Sequence, residues 1–171
     1  MQRKVFQLFW KKENQIGKIN KVLNDGLIRK TLESSKTIAM VGVSSVKKEV
    51  STNIIRRPST IVMKYMQEFG YKVIPVNPFS VGEKVHGETI VSKLSDIKIP
   101  IDIVDIFRPS KEAPMIAKES VEIGAKVFWL QYGIQSDEAK KIIYVSNKCI
   151  KQEYQKIFLK VSPVFPALKT N

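Results

Sequence analysis

Cysteine, histidine and arginine are scarce in this chain. Among 171 residues there is one cysteine, Cys149, and one histidine, His86. A single cysteine excludes a disulfide framework and a cysteine-cluster metal site. A single histidine argues against a zinc centre or a histidine-rich active site. No stretch reaches about 18 consecutive apolar residues, so no transmembrane helix is expected. The apolar run before Lys11 is too short for a secretory signal, and no small-residue cleavage site follows it; the expected compartment is the cytoplasm. Acidic groups are also few, 16 against 29 basic ones, for a net charge of +13. That excess lies mostly at the ends: residues 1–36 carry +6, 37–146 carry +3 and 147–171 carry +4. The basic groups are 24 Lys and 5 Arg. Because Arg is the residue suited to bidentate base and phosphate readout, this charge reads as a lysine-rich solvated surface, not a nucleic-acid groove.

What is present is an ordinary globular composition, 43% hydrophobic and 26% charged, without repeats or low-complexity segments. Residues 1–24 mix Phe6, Phe9 and Trp10 with lysines and form an extension with no clean period. A domain is expected over 25–155, followed by a tail over 156–171. Asp25 is placed to cap a short helix through Ile28 and Leu32. Thr37–Gly42 is an apolar run closed by glycine and reads as a strand buried on both faces. A polar loop follows, and Pro58-Ser59-Thr60 opens an amphipathic helix that Gly70 stops. The next strand is Tyr71–Val76, ended by Asn77-Pro78. Ile101–Phe107 is the third strand, Glu112–Ile123 a helix, Lys126–Gln131 the fourth strand and Ser136–Lys141 a short helix. Ile142–Val145 is expected to be a weaker fifth strand. Apolar strands alternating with helices predict an α/β fold: a Rossmann-like, doubly wound, mostly parallel five-stranded sheet with helices on both faces.

Ligands of such sheets bind beyond the carboxyl ends of the strands, so the informative residues lie there. Gly42 leaves room for a close approach, and Ser44 and Ser45 supply hydroxyl and backbone donors. The helix opening at Ser59 directs free N–H groups and its positive dipole end toward the same place, with Arg56 and Arg57 just before it; together these suit a phosphate. Two features oppose a dinucleotide. Gly42 is followed by Val43-Ser44-Ser45-Val46 instead of completing G-x-G-x-x-G, and the second strand ends in Val76-Asn77-Pro78 without the acid that holds the NAD ribose.

With these pieces in view, the chain resembles the stand-alone CoA-binding domain family, NAD(P)-binding-like in fold and similar to the N-terminal domain of the succinyl-CoA synthetase α subunit. The matching stretches are Thr37–Ser44, Arg57–Ser59, Gly70–Pro78, Val104–Arg108, Gly124–Gln131 and Cys149–Lys151, in order, within residues 28–155. The resemblance implies coenzyme A, or an acyl-CoA, held across the strand ends. Gly42, Ser44, Arg57 and Ser59 would take the pyrophosphate, with Ser45 beside them. Val76, Asn77 and Pro78 would line the adenine and ribose side, and Phe107, Arg108 and Gln131 would border the site. The expected function is non-catalytic binding, as sensor, carrier or regulatory module. The alternatives are an acyl-CoA synthetase subunit, for which no second domain with a phosphorylated histidine is expected here, and a nucleotide-binding module with another ligand.

The remaining chemistry-bearing residues have modest readings. His86 stands beside Gly87 in a loop, far from any acid–base partner, and reads as a surface histidine. Cys149 reads as a structural thiol, with a redox or thiol-exchange role as the alternative. Asp102 and Asp105 are three apart on one strand and face opposite sides, so they are not a paired-carboxylate site; Asp105 is placed to orient Arg108 or a backbone N–H. Trp129 belongs to an apolar strand and to the core. The Phe6, Phe9 and Trp10 cluster is a candidate partner contact.

Overall fold

The computed structural model describes residues 28–44, 58–149 and 157–160, and no side chain is described for 147–149 or 157–160. Ser45, Arg56, Arg57, the extension over 1–24, the Asp25 cap, the Cys149 thiol and the end of the tail therefore lie outside the described residues.

Four helices and seven strands are described: α1 (28–34), β1 (Thr37–Val41), α2 (Pro58–Glu68), β2 (Lys72–Val76), β3 (Lys84–Val85), β4 (Glu88–Thr89), β5 (Ile103–Ile106), α3 (Ala113–Glu122), β6 (Val127–Leu130), α4 (Asp137–Cys149) and β7 (Ile157–Lys160). Single 3-10 turns stand at Leu94–Asp96 and Ser110–Glu112. Five strands form one sheet in the order β2-β1-β5-β6-β7, with every neighbouring pair parallel. Val91 adds a single parallel bridge to Val76 at the β2 edge. The fold is α/β and Rossmann-like, as the alternating pattern predicts.

The two faces follow from the period of two along each strand. Ile38, Met40, Val73, Ile103, Val127 and Trp129 face one side, where Ile28 and Leu32 of α1 and Val62 and Met63 of α2 pack on them. Ala39, Val41, Ile74, Val76, Val104, Ile106, Phe128 and Leu130 face the other, under Ile116 and Ala117 of α3 and Ala139 and Ile143 of α4. Burial on both faces explains why the strands read as continuous apolar runs. Pro58 fits the first helical position of α2, where its missing N–H costs nothing. The helix ends at Gly70, whose N–H bonds to Gln67 while that of Tyr71 bonds to Met66, a termination that needs the positive φ of 85° found there.

Asp102 ties the amino ends of the strands together. It accepts hydrogen bonds from the backbone N–H groups of Lys36 (2.8 Å) and Thr37 (3.1 Å), and from Lys126 Nζ (2.7 Å). Burial opposes its ionisation, but the Lys126 ammonium and these N–H donors prevail and hold its pKa at about 2.

The fifth strand is not where its sequence suggests. Ile142–Val145 lies inside α4, and β7 at Ile157–Lys160 completes the sheet. Ala139 and Ile143 are buried one helical turn apart while Tyr144 and Val145 are exposed, 52% and 62%, a helical face that four apolar residues in a row conceal. The helix begun at Ser136 thus runs on to Cys149 instead of stopping at Lys141. The link from β6 to β7 is long enough for an ordinary crossover, and the sheet takes in residues assigned to the tail.

Candidate functional site

Strand order reverses between β1 and β5: the chain leaves β1 through α2 toward β2, whereas β5 and β6 lie on the other side. That switch point is where an open α/β sheet has its binding position, beyond the carboxyl ends. Gly42 and Phe107 sit there side by side. The Phe107 N–H donates to the Val41 carbonyl at 2.8 Å, and the Gly42 N–H donates to Val76 at 2.9 Å. Gly42 has φ +100°, and a Cβ on it would lie 2.8 Å from the Phe107 carbonyl oxygen and 2.9 Å from Arg108 Cδ. Both the backbone conformation and the space demand glycine.

The start of α2 is brought to the end of β1. Thr60 Oγ1 reaches the Ser44 carbonyl at 3.4 Å, and Ser59 and Thr60 are buried. The first-turn N–H groups and positive dipole end of α2 therefore lie near the Gly42 turn. His86 also contributes here. It occupies the β3–β4 hairpin turn at φ 47°, and its Nε2 lies 3.0 Å from the Thr60 carbonyl. A carbonyl only accepts, so Nε2 carries the proton. His86 remains exposed, as expected of a surface histidine, and braces α2.

Asn77 is buried between two strand ends. Its amide donates to the Val43 carbonyl at 2.9 Å and accepts from the Phe79 N–H at 3.0 Å. Its side chain thus ties the segment after β1 to the loop after β2. Val76 is buried in the core, Pro78 is exposed, and Phe107 packs partly against the α1/α2 face. Arg108 pairs with Glu112, Nε to Oε2 at 2.7 Å and Nη2 to Oε1 at 3.0 Å. Gln131 Nε2 donates to both carboxylate oxygens of Asp105, at 2.9 and 3.1 Å. Asp105 is thus engaged by Gln131 and by a neighbouring backbone N–H, that of Ile106, as one of the two expectations had it, and not by Arg108. Burial pushes the Asp105 pKa up to about 7, and the hydrogen bonds from Gln131 and the Ile106 N–H only moderate the rise.

Gly42, Ser44, Ser59, Asn77, Phe107 and Arg108 therefore gather around the ends of β1, β2 and β5, with Gln131 one strand further out. Two residues here, Glu112 and Phe79, and the pairing of Asp105 with Gln131 go beyond what the sequence singles out. Glu112 was detectable as an i,i+4 partner of Arg108. Phe79, 80% exposed beneath the Arg108 guanidinium, carries no signal beyond following Asn77-Pro78. The Asp105–Gln131 pair needs the β5–β6 register, which sets Asp105 against Trp129 and so puts Gln131 on the same face.

The arrangement suits an anion: a side-chain-free turn, a helix start and an arginine at one sheet edge. Among the described residues no group of three or more His, Cys, Asp or Glu is placed to hold a metal ion, and no helix is long and apolar enough to cross a membrane.

Comparison with known proteins agrees with this geometry. The CoA binding domain family model matches residues 36–155. The uncharacterized protein YneT of Bacillus subtilis (strain 168) is 39% identical over 123 residues, which are 72% of this chain and 84% of that protein. A hypothetical protein from Pyrococcus horikoshii OT3 superposes with TM-score 0.66 at 32% identity, covering 85% of this chain and 92% of the other. A Thermus thermophilus structure superposes with TM-score 0.64 at 34% identity, covering 79% and 90%. A family match across most of the described sheet, and a relative of this similarity, place the chain in the CoA-binding domain family.

Proposed function

We propose that the protein binds coenzyme A or an acyl-CoA at the carboxyl edge of its sheet, and that it acts there as a non-catalytic sensor, carrier or regulatory module. The observation that carries this reading is the Gly42 turn at the β1/β5 switch point, closed to any side chain by Phe107 and Arg108. Beside it, the start of α2 offers N–H donors to a pyrophosphate, a role to which Ser44, Ser59 and Arg57 would add. Asn77 and Pro78 end β2 without an acid, which favours CoA over NAD, whose ribose is usually held by a carboxylate at that position.

The test is the ligand the protein retains. Native mass spectrometry of the full chain, purified without added nucleotide, is expected to show a bound species that releases CoA or an acyl-CoA on denaturation. A retained NAD or NADP, or binding of either dinucleotide tighter than CoA after gel filtration, overturns the reading.

A further inference from the structure

Three side chains from two connections, Arg108 and Glu112 between β5 and α3 and Phe79 after β2, meet beside the Gly42 turn. Arg108, just past β5, is held by both oxygens of Glu112 at 2.7 and 3.0 Å. Its guanidinium carbon stands 5.8 Å from the centre of the Phe79 ring, in the loop after β2. Its Cδ is 2.9 Å from where a Gly42 Cβ would be, so the arginine stem crosses directly over the turn. Two features of this arrangement bear on a ligand. The guanidinium edge that would hold a phosphate in bidentate fashion already carries a carboxylate. The ring beneath it is 80% exposed, more than any other large apolar side chain among the described residues.

We propose that Arg108 is a latch over the anion position. In the free protein it is held shut by Glu112 and rests on Phe79; a ligand phosphate opens it by taking the place of Glu112 on the guanidinium. The proposal rests on the CoA reading of the same site and adds its control. The Arg108–Glu112 side chains are 29% and 25% exposed, and a pair in that setting is weak enough to exchange partners. The pyrophosphate as a whole carries two negative charges against the one of a carboxylate and offers the same bidentate geometry, so the exchange runs toward the ligand. Phe79 carries the guanidinium on its ring face in the closed arrangement, as a cation over an aromatic does. Glu112 is thus a positioning residue: it acts only through Arg108, and it lowers affinity for the anion it resembles.

The experiment is a calorimetric cycle at one salt concentration, using CoA, the full chain, Glu112→Gln, Arg108→Met and the double variant. Glu112→Gln is expected to tighten CoA binding about two- to fivefold, the range corresponding to loss of one partly exposed ion pair. Arg108→Met is expected to weaken it about tenfold or more. In the Arg108→Met background the Glu112→Gln change is expected to have no effect, a result that a purely structural Glu112 would not produce. If wild type binds CoA but Glu112→Gln is neutral or weakening, or if its effect persists without Arg108, the latch is wrong and the CoA reading stands. If wild type does not bind CoA, both fall.

Discussion

Asp105 places a carboxyl on an apolar sheet face, between Met40 and Trp129 of the neighbouring strands, with one side-chain partner. Its raised pKa of about 7 against the ordinary 3.8 means that the folded protein holds more protons than the unfolded chain between those values. Stability contributed by this group is therefore lost as pH rises from about 4 to about 7 and is level above that. Asp102 has the opposite sign. Its pKa of about 2 gives stability that is present above about pH 4 and lost as pH falls toward 2. Asp105→Asn is expected to flatten the decline between pH 4 and 7 and to be more stable than wild type at pH 8, as read from urea midpoints across pH. A variant with the wild-type slope over that interval would show that Asp105 ionises normally. Gly42 is the second residue with a sharp expectation. With φ at +100° and the Phe107 carbonyl 2.8 Å from a new Cβ, Gly42→Ala is expected to cost about 1–3 kcal/mol from backbone strain alone, with more from the clash. Urea unfolding checks it; a midpoint unchanged from wild type would contradict the close approach.

Among the elements, α4 separates what periodicity reveals from what it hides. β1 and β6 are legible as strands because Ile38–Val41 and Val127–Leu130 are wholly apolar and buried on both faces. Pro58 and Gly70 mark the two ends of α2 by backbone chemistry alone. Ile142–Val145 offers the same local composition as a strand, and its true state appears only when Ala139 and Ile143 are seen packing on the β6 face. β7 is hard to find in sequence because Lys156 and Lys160 bracket three apolar residues, a pattern too short to separate from loop. The site divides in the same way. The Gly42 turn and the α2 start are legible from residue types, whereas the Asp105–Gln131 pair depends on a register between strands about twenty residues apart. If α4 is continuous, Ile143→Ala is expected to cost about 2–5 kcal/mol. Tyr144→Ala, half exposed beside Lys140, is expected to change stability by no more than about 0.5 kcal/mol. Comparable losses at both positions, by thermal or urea unfolding, would contradict the helical face.

For the whole molecule, the central question is whether its +13 charge or its switch point governs ligand choice. Charge spread over the surface is screened beyond about 8 Å at physiological salt, while groups aimed at one position are not. On the proposed reading, in which Arg57 meets the pyrophosphate, Arg57→Ala is expected to weaken CoA binding about ten- to a hundredfold, from loss of one charged hydrogen bond, and neutralising Lys11 and Lys12 together to change it little. Equal losses at the two sites, by calorimetry at one salt concentration, would assign affinity to diffuse charge. The most direct test of the account is the stabilisation of the full chain by CoA compared with NAD at matched concentrations. At CoA about 100-fold above its Kd, unfolding is expected to become harder by about 2.7 kcal/mol, raising Tm by several degrees, with a smaller shift for NAD. A Tm shift with NAD equal to or larger than that with CoA would contradict the account.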